Sequence, residues 1–253
     1  MHTLADITTV EASEIWPSVQ AGIVAIGATE QHGPNLAMSV DTAIAARMAE
    51  RIARELSPRL VLLPPVPYGV SDHHMAFTGT MTVSSDTLQA IVCDLAASLA
   101  QHGKRTLVIV NGHGGNQSTL RTAASKLRAQ NIRVATVSWF SLATDEVKIV
   151  ARTPYHNHAC EVETSIALEL CPELVRRDAL AAGKVKPFAC RHASIHGPLV
   201  ETNYSFVQLT ENGALGDARL ATLEDGKKIV GATVSRAIEF LEDFLKLDHS
   251  DEK

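Results

Sequence analysis

Several things that this sequence of 253 residues lacks narrow its function before any motif is read. It has no run of about 20 apolar residues able to cross a bilayer, and Met1 to Val10 carry no basic segment followed by an apolar one. Export and membrane insertion are therefore not expected, and a cytoplasmic setting is. Positive charge is not in excess either: 23 Lys and Arg stand against 28 Asp and Glu, a formal net charge of -5, and no basic cluster is interleaved with aromatics. Nucleic acid is not an expected partner. The four cysteines, Cys93, Cys160, Cys171 and Cys190, never take C-x-x-C spacing. That excludes a zinc knuckle and a dithiol redox motif, and leaves reduced thiols as the expectation. Fixed-period repeats, low-complexity tracts and Pro/Gly/Ser linkers are missing as well, so residues 1–253 read as one domain.

What is present is a globular composition, 45% hydrophobic and 20% charged, with enough apolar surface for a sizeable core. Short β-branched apolar runs ending in Gly-rich turns alternate with longer stretches of helical period. This is the pattern of a largely parallel sheet wrapped by helices. It predicts strands at Gly22–Gly27, Leu60–Leu63, Thr106–Val110 and Ile132–Ser138, and helices at Asp41–Glu55, Ser85–Gln101, Gln117–Ala129, Glu161–Leu170 and Leu223–Leu245. Asp41 suits a helix N-cap, and Gly103 suits the position after a helix end at His102. Cys160 is expected to pack at a helix start as a small hydrophobe. The stripe Ile229, Val234, Ile238, Leu241 and Leu245 reads as core or interface, and the tail His249–Lys253 as frayed.

In open α/β sheets, functional groups gather beyond the carboxyl ends of the strands. Gly22–Gly27 runs into Ala28-Thr29-Glu30-Gln31-His32-Gly33-Pro34, and Thr106–Val110 into Asn111-Gly112-His113-Gly114-Gly115-Asn116. In an extended segment the period of two turns Glu30 and His32 to one side, as two ligands of one site require. Asp41 follows within a short loop. The glycines around His113 let backbone come close to a bound ion or substrate. A third loop, Tyr155 to Glu163, adds candidate ligands.

Carboxylates with imidazoles suit zinc, manganese or iron better than an all-oxygen set suited to magnesium or calcium. Two divalent ions bring four positive charges; Glu30, Asp41 and Glu163 cancel three, and a bridging hydroxide the fourth. Neutrality spares the cluster the desolvation cost of uncompensated charge. Asp41 is the natural bridge, since a carboxylate has two oxygens to share between ions about 3.5 to 4 Å apart. The last ligand is less plain. A helix beginning at His158 would put His158 and Glu161 on one face at i,i+3 and favour Glu161, whereas a helix beginning near Glu161 leaves the choice open.

These residues resemble the creatininase family of amidohydrolases, through Glu30-x-His32-Gly33, Asp41, Asn111-Gly112-His113 and the segment His158 to Ser165. Ser71-x-x-His74-x-x-Phe77-x-Gly79-Thr80, Gly216-Asp217 and Ala221-Thr222 extend the likeness over most of the chain. The resemblance implies a three-layer α/β/α sandwich assembled as a homohexamer. It implies Glu30, Asp41 and His113 on one metal ion, and His32, Asp41 and Glu163 on a second, which selects Glu163 over Glu161. It implies His158 as the catalytic histidine, and Ser71 and the Gly114 backbone as substrate contacts; His74 is a further candidate contact. The expected reaction is hydrolysis of an amide-type C–N bond, possibly cyclic, in a small molecule, by a hydroxide shared between the two ions. Two departures touch the pocket. Creatininase carries a Tyr-Glu pair, the Glu a metal ligand, where this chain has Gly114-Gly115. It also has a tryptophan shortly before the catalytic histidine, where Pro154 and Tyr155 stand here. Creatinine itself is therefore not the expected substrate. Peptide trimming in redox-cofactor maturation, formamidopyrimidine deformylation and keto-inositol ring opening are the alternatives within the family.

From another class, a nucleotide-binding protein would use Gly112 to Gly115 as a phosphate cradle, but the spacing forms neither G-x-G-x-x-G nor a P-loop. A closed structural metal site would be Cys-rich. His156, His192 and His196 read as structural or interface residues.

Overall fold

The structure, a computed structural model, describes residues 1–187 and 202–247; Cys190, His192, His196 and the tail from His249 lie outside the described residues. Five strands, β1 (His2–Thr3), β2 (Ala21–Ile26), β3 (Leu60–Leu62), β4 (Thr106–Asn111) and β5 (Arg133–Ser138), form one sheet in the order β1-β3-β2-β4-β5. Every pairing is parallel, with Ile23 beside Val108 and Ile109 beside Thr136. The helices are α1 (Thr9–Ile15), α2 (Val40–Glu55), α3 (Ser85–Gln101), α4 (Gln117–Arg128), α5 (Trp139–Leu142), α6 (Thr144–Val150), α7 (Glu161–Leu170) and α8 (Leu223–Phe244).

Side-chain alternation along the buried strands separates two cores. Ile23, Ala25, Val108, Val110, Ala135 and Val137 pack with α2, α7 and α8. Val24, Ile26, Leu107 and Ile109 pack with α3 and α4 through Leu88, Val92, Leu120 and Leu127 on the opposite face. The result is the expected three-layer α/β/α sandwich, in which period two in the strands feeds a period-3.6 face on each side. Ile229 and Leu241 of the last helix are buried, and Val234, Ile238 and Leu245 pack against the same core.

The strand order places the site. From β2 the chain crosses to β3 on one side, and from β3 it crosses back over β2 to β4 on the other. The carboxyl ends of β2 and β4 therefore flank the topological switch point, where the crevice of an open α/β sheet opens. Glu30 to His32 follow β2, and His113 follows β4.

The predicted elements are displaced by at most one residue at the ends. Gly103 takes the left-handed conformation after the His102 cap, at φ 78. Cys160, fully buried, is the N-cap residue of α7. One local reading is corrected: Asp41 is not an N-cap. Ser39 holds that position without a side-chain bond, and Asp41 lies inside the first turn of α2, buried, with its carboxylate aimed at two histidines instead of backbone N–H groups.

Candidate functional site

Three loops and one helix bring the acidic and imidazole side chains together. Glu30, His32, Asp41, His113, His158 and Glu163 are all buried, none more than 7% exposed. His32 Nε2 lies 3.1 Å from Asp41 Oδ1 and 3.6 Å from Glu163 Oε1. His113 Nδ1 lies 3.2 Å from the other oxygen of Asp41, and its Nε2 3.3 Å from Glu30 Oε2. Asp41 thus spans both halves of the cluster from the positive end of α2, where a carboxylate is favoured. Among the described residues, ligand-type atoms converge within 4.8 Å in three groups: Glu30, Asp41 and His113; His32, His158 and Glu163; and Glu30, His74 and His158.

The Nδ1 of His32 is taken by the Glu30 backbone carbonyl at 3.1 Å, so its Nε2 faces the carboxylates. Glu30 Oε2, His32 Nε2 and Asp41 Oδ2 are buried without a hydrogen-bond partner. Orphaned acceptors of this kind cost free energy unless a cation or proton sits between them. Burial pushes the His32 imidazole down, but the Asp41 and Glu163 carboxylates outweigh it and hold the pKa well above its ordinary value. At His113 burial acts the same way and Glu30 and Asp41 win. Burial pushes Asp41 up, yet His32 and His113 hold it well below the usual carboxylate range. The donor set therefore asks for positive charge, and carboxylates with imidazoles fit divalent zinc, manganese or iron.

Glu161 and Glu163 part company at the start of α7, which begins at Glu161 itself. Glu163 reaches the cluster and accepts the Ala159 N–H at 2.6 Å, steadying a residue held at φ 49. Glu161 turns away. Its carboxylate accepts from the backbone N–H groups of Arg152, Thr153 and Asp217, each at 2.9 Å, and from the Thr153 hydroxyl at 2.8 Å.

His158 stands on the wall of the cluster with Nδ1 3.7 Å from Glu30 Oε1, its ring tilted over His32 at 4.3 Å and edge-on to Phe206 at 4.7 Å. Burial, then His32 and His74, pull its pKa well below the ordinary histidine value. His74 lies 4.5 Å from His158 and 4.2 Å from Phe206, with Nε2 3.4 Å from Glu30 Oε1, and burial lowers its pKa to about 3. Ser71 is buried behind His113, its Oγ 3.4 Å from Nε2. Gly114 opens onto a cavity of about 440 Å³ that has Glu30, Asp41, His113, His158 and Glu163 on its floor.

Sequence reasoning missed several of the residues that shape this site. Trp139 and Phe140 of α5 and Val147 and Lys148 of α6 line the cavity, together with His156 and Asn157. An aromatic wall thus comes from α5, not from the segment before His158. Gln31, between Glu30 and His32, is also buried; the segment is irregular, and alternation does not turn Gln31 out to solvent. Gly115 marks the departure from creatininase: a Cβ there would collide with His113 Nε2 and the Val70 carbonyl, so no glutamate side chain starts from that position without moving His113.

A parallel α/β sandwich with buried carboxylates and imidazoles at its switch point defines the structural class, and comparison with known proteins gives the family. The creatininase family pattern, described as creatinine amidohydrolase, matches residues 5–241. A mycofactocin precursor peptide peptidase of Mycobacterium ulcerans is 32% identical over 242 residues, covering 93% of this chain and 88% of the relative. Among solved structures, a candidate creatinine amidohydrolase from Bacteroides fragilis superposes with a TM-score of 0.85 at 27% identity, over 98% of this chain and 97% of the other. A creatininase described with manganese shares the fold at a TM-score of 0.78 and 23% identity, over 97% of this chain and 99% of that one. The chain belongs to the creatininase family and is a hydrolase of that family.

Proposed function

We propose that this protein is a two-metal amidohydrolase that cleaves an amide-type C–N bond. The observation that carries the reading is the buried convergence of ligand-type atoms from Glu30, Asp41 and His113 and from His32, His158 and Glu163, with Glu30 Oε2, His32 Nε2 and Asp41 Oδ2 left without a hydrogen-bond partner. Glu30, Asp41 and His113 would hold one divalent ion, and His32, Asp41 and Glu163 the other. Zinc and manganese are the cations the donor set fits, with iron as a third. Divalent ions bound there would polarise a carbonyl and lower the pKa of a water toward about 7, supplying hydroxide at neutral pH.

The remaining work falls to the chain. His158 carries a proton to the leaving nitrogen, a task suited to a buried ring kept neutral. His74, similarly neutral, and the Gly114 backbone border the reacting carbonyl. Trp139 and Phe140 shield the apolar part of the substrate, and Lys148 stands at the cavity with its ammonium group exposed. The pocket differs from that of creatininase at Gly114-Gly115, so creatinine is not the proposed substrate. The peptide-trimming activity named for the relative at 32% identity makes short peptides the first alternative to cyclic amides and formamides. We further propose a single catalytic domain, cytoplasmic and assembled as a homohexamer. Among the described residues no helix is long and apolar enough to cross a membrane.

Hydrolysis of cyclic amides, formamides and short peptides by zinc- or manganese-loaded protein tests the reading. Turnover that disappears with a chelator and returns with metal is the expected result. Turnover that is indifferent to chelation overturns it.

A further inference from the structure

Gln31 stands between two cluster residues and has no part in the roles above. Its side-chain oxygen accepts the Gly33 backbone N–H at 3.0 Å, a place only the oxygen can fill. The amide nitrogen is thereby fixed on the other side. There it lies 3.0 Å from the Gly213 carbonyl, 2.8 Å from His74 Nδ1 and 3.0 Å from His158 Nε2. Gly213, at φ 80, presses so closely that any Cβ would collide with Gln31 Oε1. The amide sits in a slot built around it and cannot turn over.

An amide nitrogen has two protons to offer these three neighbours. One goes to the Gly213 carbonyl, which only accepts. His158 Nε2 lies 2.8 Å from the backbone carbonyl of Gln31, again an atom that only accepts, so this ring nitrogen carries a proton and donates it there. It cannot then accept from the amide as well. The second amide proton goes to His74 Nδ1, which must be bare, since two donors would otherwise meet at 2.8 Å.

We infer that Gln31 is a positioning residue that holds His74 and His158 as Nε2–H tautomers, leaving His158 Nδ1 as the acceptor and His74 Nε2–H as the donor that face the reacting groups. The two inward atoms lie 3.7 and 3.4 Å from the same oxygen, Glu30 Oε1, so acceptor and donor stand side by side. The use made of them rests on the hydrolytic reading. His158 Nδ1 takes the proton of the attacking water and gives it to the leaving nitrogen. His74 donates a hydrogen bond to the carbonyl oxygen as charge gathers there and keeps its proton.

Long-range proton–nitrogen correlation spectra of the ¹⁵N-labelled, zinc-loaded protein read these tautomers directly. Signals are assigned by their loss in His74→Gln and His158→Gln. Both rings are expected in the Nε2–H form. Gln31→Glu, whose ionised side chain only accepts, moves the proton of His74 to Nδ1; Gln31→Leu leaves the His74 ring averaging between forms. Both variants keep the zinc content of the wild type while kcat falls by about tenfold or more. A wild-type His74 in the Nδ1–H form, or His74 signals identical in all three proteins, would overturn the inference. The hydrolytic reading fails by a different sign, wild-type protein that holds no zinc, and the ring tautomers are read in the spectrum in that case too.

Discussion

At the scale of single residues, buried carboxylates hold the pKa values of His32 and His113 up, while burial and neighbouring imidazoles bring those of His74 and His158 down. That division separates candidate ligands from candidate proton carriers. His158→Ala is expected to lower kcat by about 10² to 10⁴ while leaving the metal content unchanged, checked by steady-state kinetics alongside elemental analysis. Glu163→Gln is expected to lose bound metal, and Glu161→Gln to retain it, because only Glu163 faces the cluster. Glu161 matters for another reason. Burial pushes its pKa up, but the N–H groups of Asp217 and Arg152 and the Thr153 hydroxyl outweigh this and hold it below the ordinary value. A carboxyl with a depressed folded pKa contributes stability that is present above its unfolded value, about 4.3, and is lost as pH falls through the folded one. Glu161→Gln should therefore flatten the acid side of the stability curve below about pH 5, with a loss of about 1–3 kcal/mol above it, measured by denaturant unfolding across pH. An unchanged acid limb contradicts the clasp assigned to this carboxylate. Spacing alone left Glu161 and Glu163 open, whereas Glu30, His32 and His113 were legible as candidate ligands because they follow the apolar runs of β2 and β4. Gln31 was not, because alternation directs it to solvent and the chain here is irregular, with Gly33 at φ 57.

At the scale of elements, what the sequence displayed best was what local chemistry sets. Four strands and five helices are marked by apolar period and by turn residues, and Thr222 closes the start of α8 by accepting the Asp225 N–H at 3.1 Å. Thr222→Ala is expected to cost about 1 kcal/mol, read as a lowered unfolding midpoint with an unchanged m-value. Elements held by tertiary contact were missed. β1 has two residues and exists only by pairing with β3, and α5 has four residues wedged between β5 and α8. The capping box of Thr8 and Glu11 was a usable signal for α1, since Thr-x-x-Glu opens many helices. No such signal announces that α5 and α6 turn Trp139, Phe140 and Lys148 into the cavity wall; that depends on where β5 ends in space. The substrate side of the site is thus the less legible half.

At the scale of the whole molecule, the sheet order does what no single motif can. It brings the loops after β2 and β4, about 80 residues apart in sequence, to the same crevice at the switch point. The core on one face then sets α2 and α7, which carry Asp41 and Glu163, beside those loops. Two divalent ions would tie these elements together. Added zinc or manganese should therefore raise the unfolding temperature, and a chelator should lower it, followed by thermal scanning.

The most direct test of the account is elemental analysis of metal per chain, on protein purified without chelator and then incubated with zinc or manganese. Two ions per chain is the predicted result. Persistently negligible metal after incubation would contradict the two-metal hydrolase.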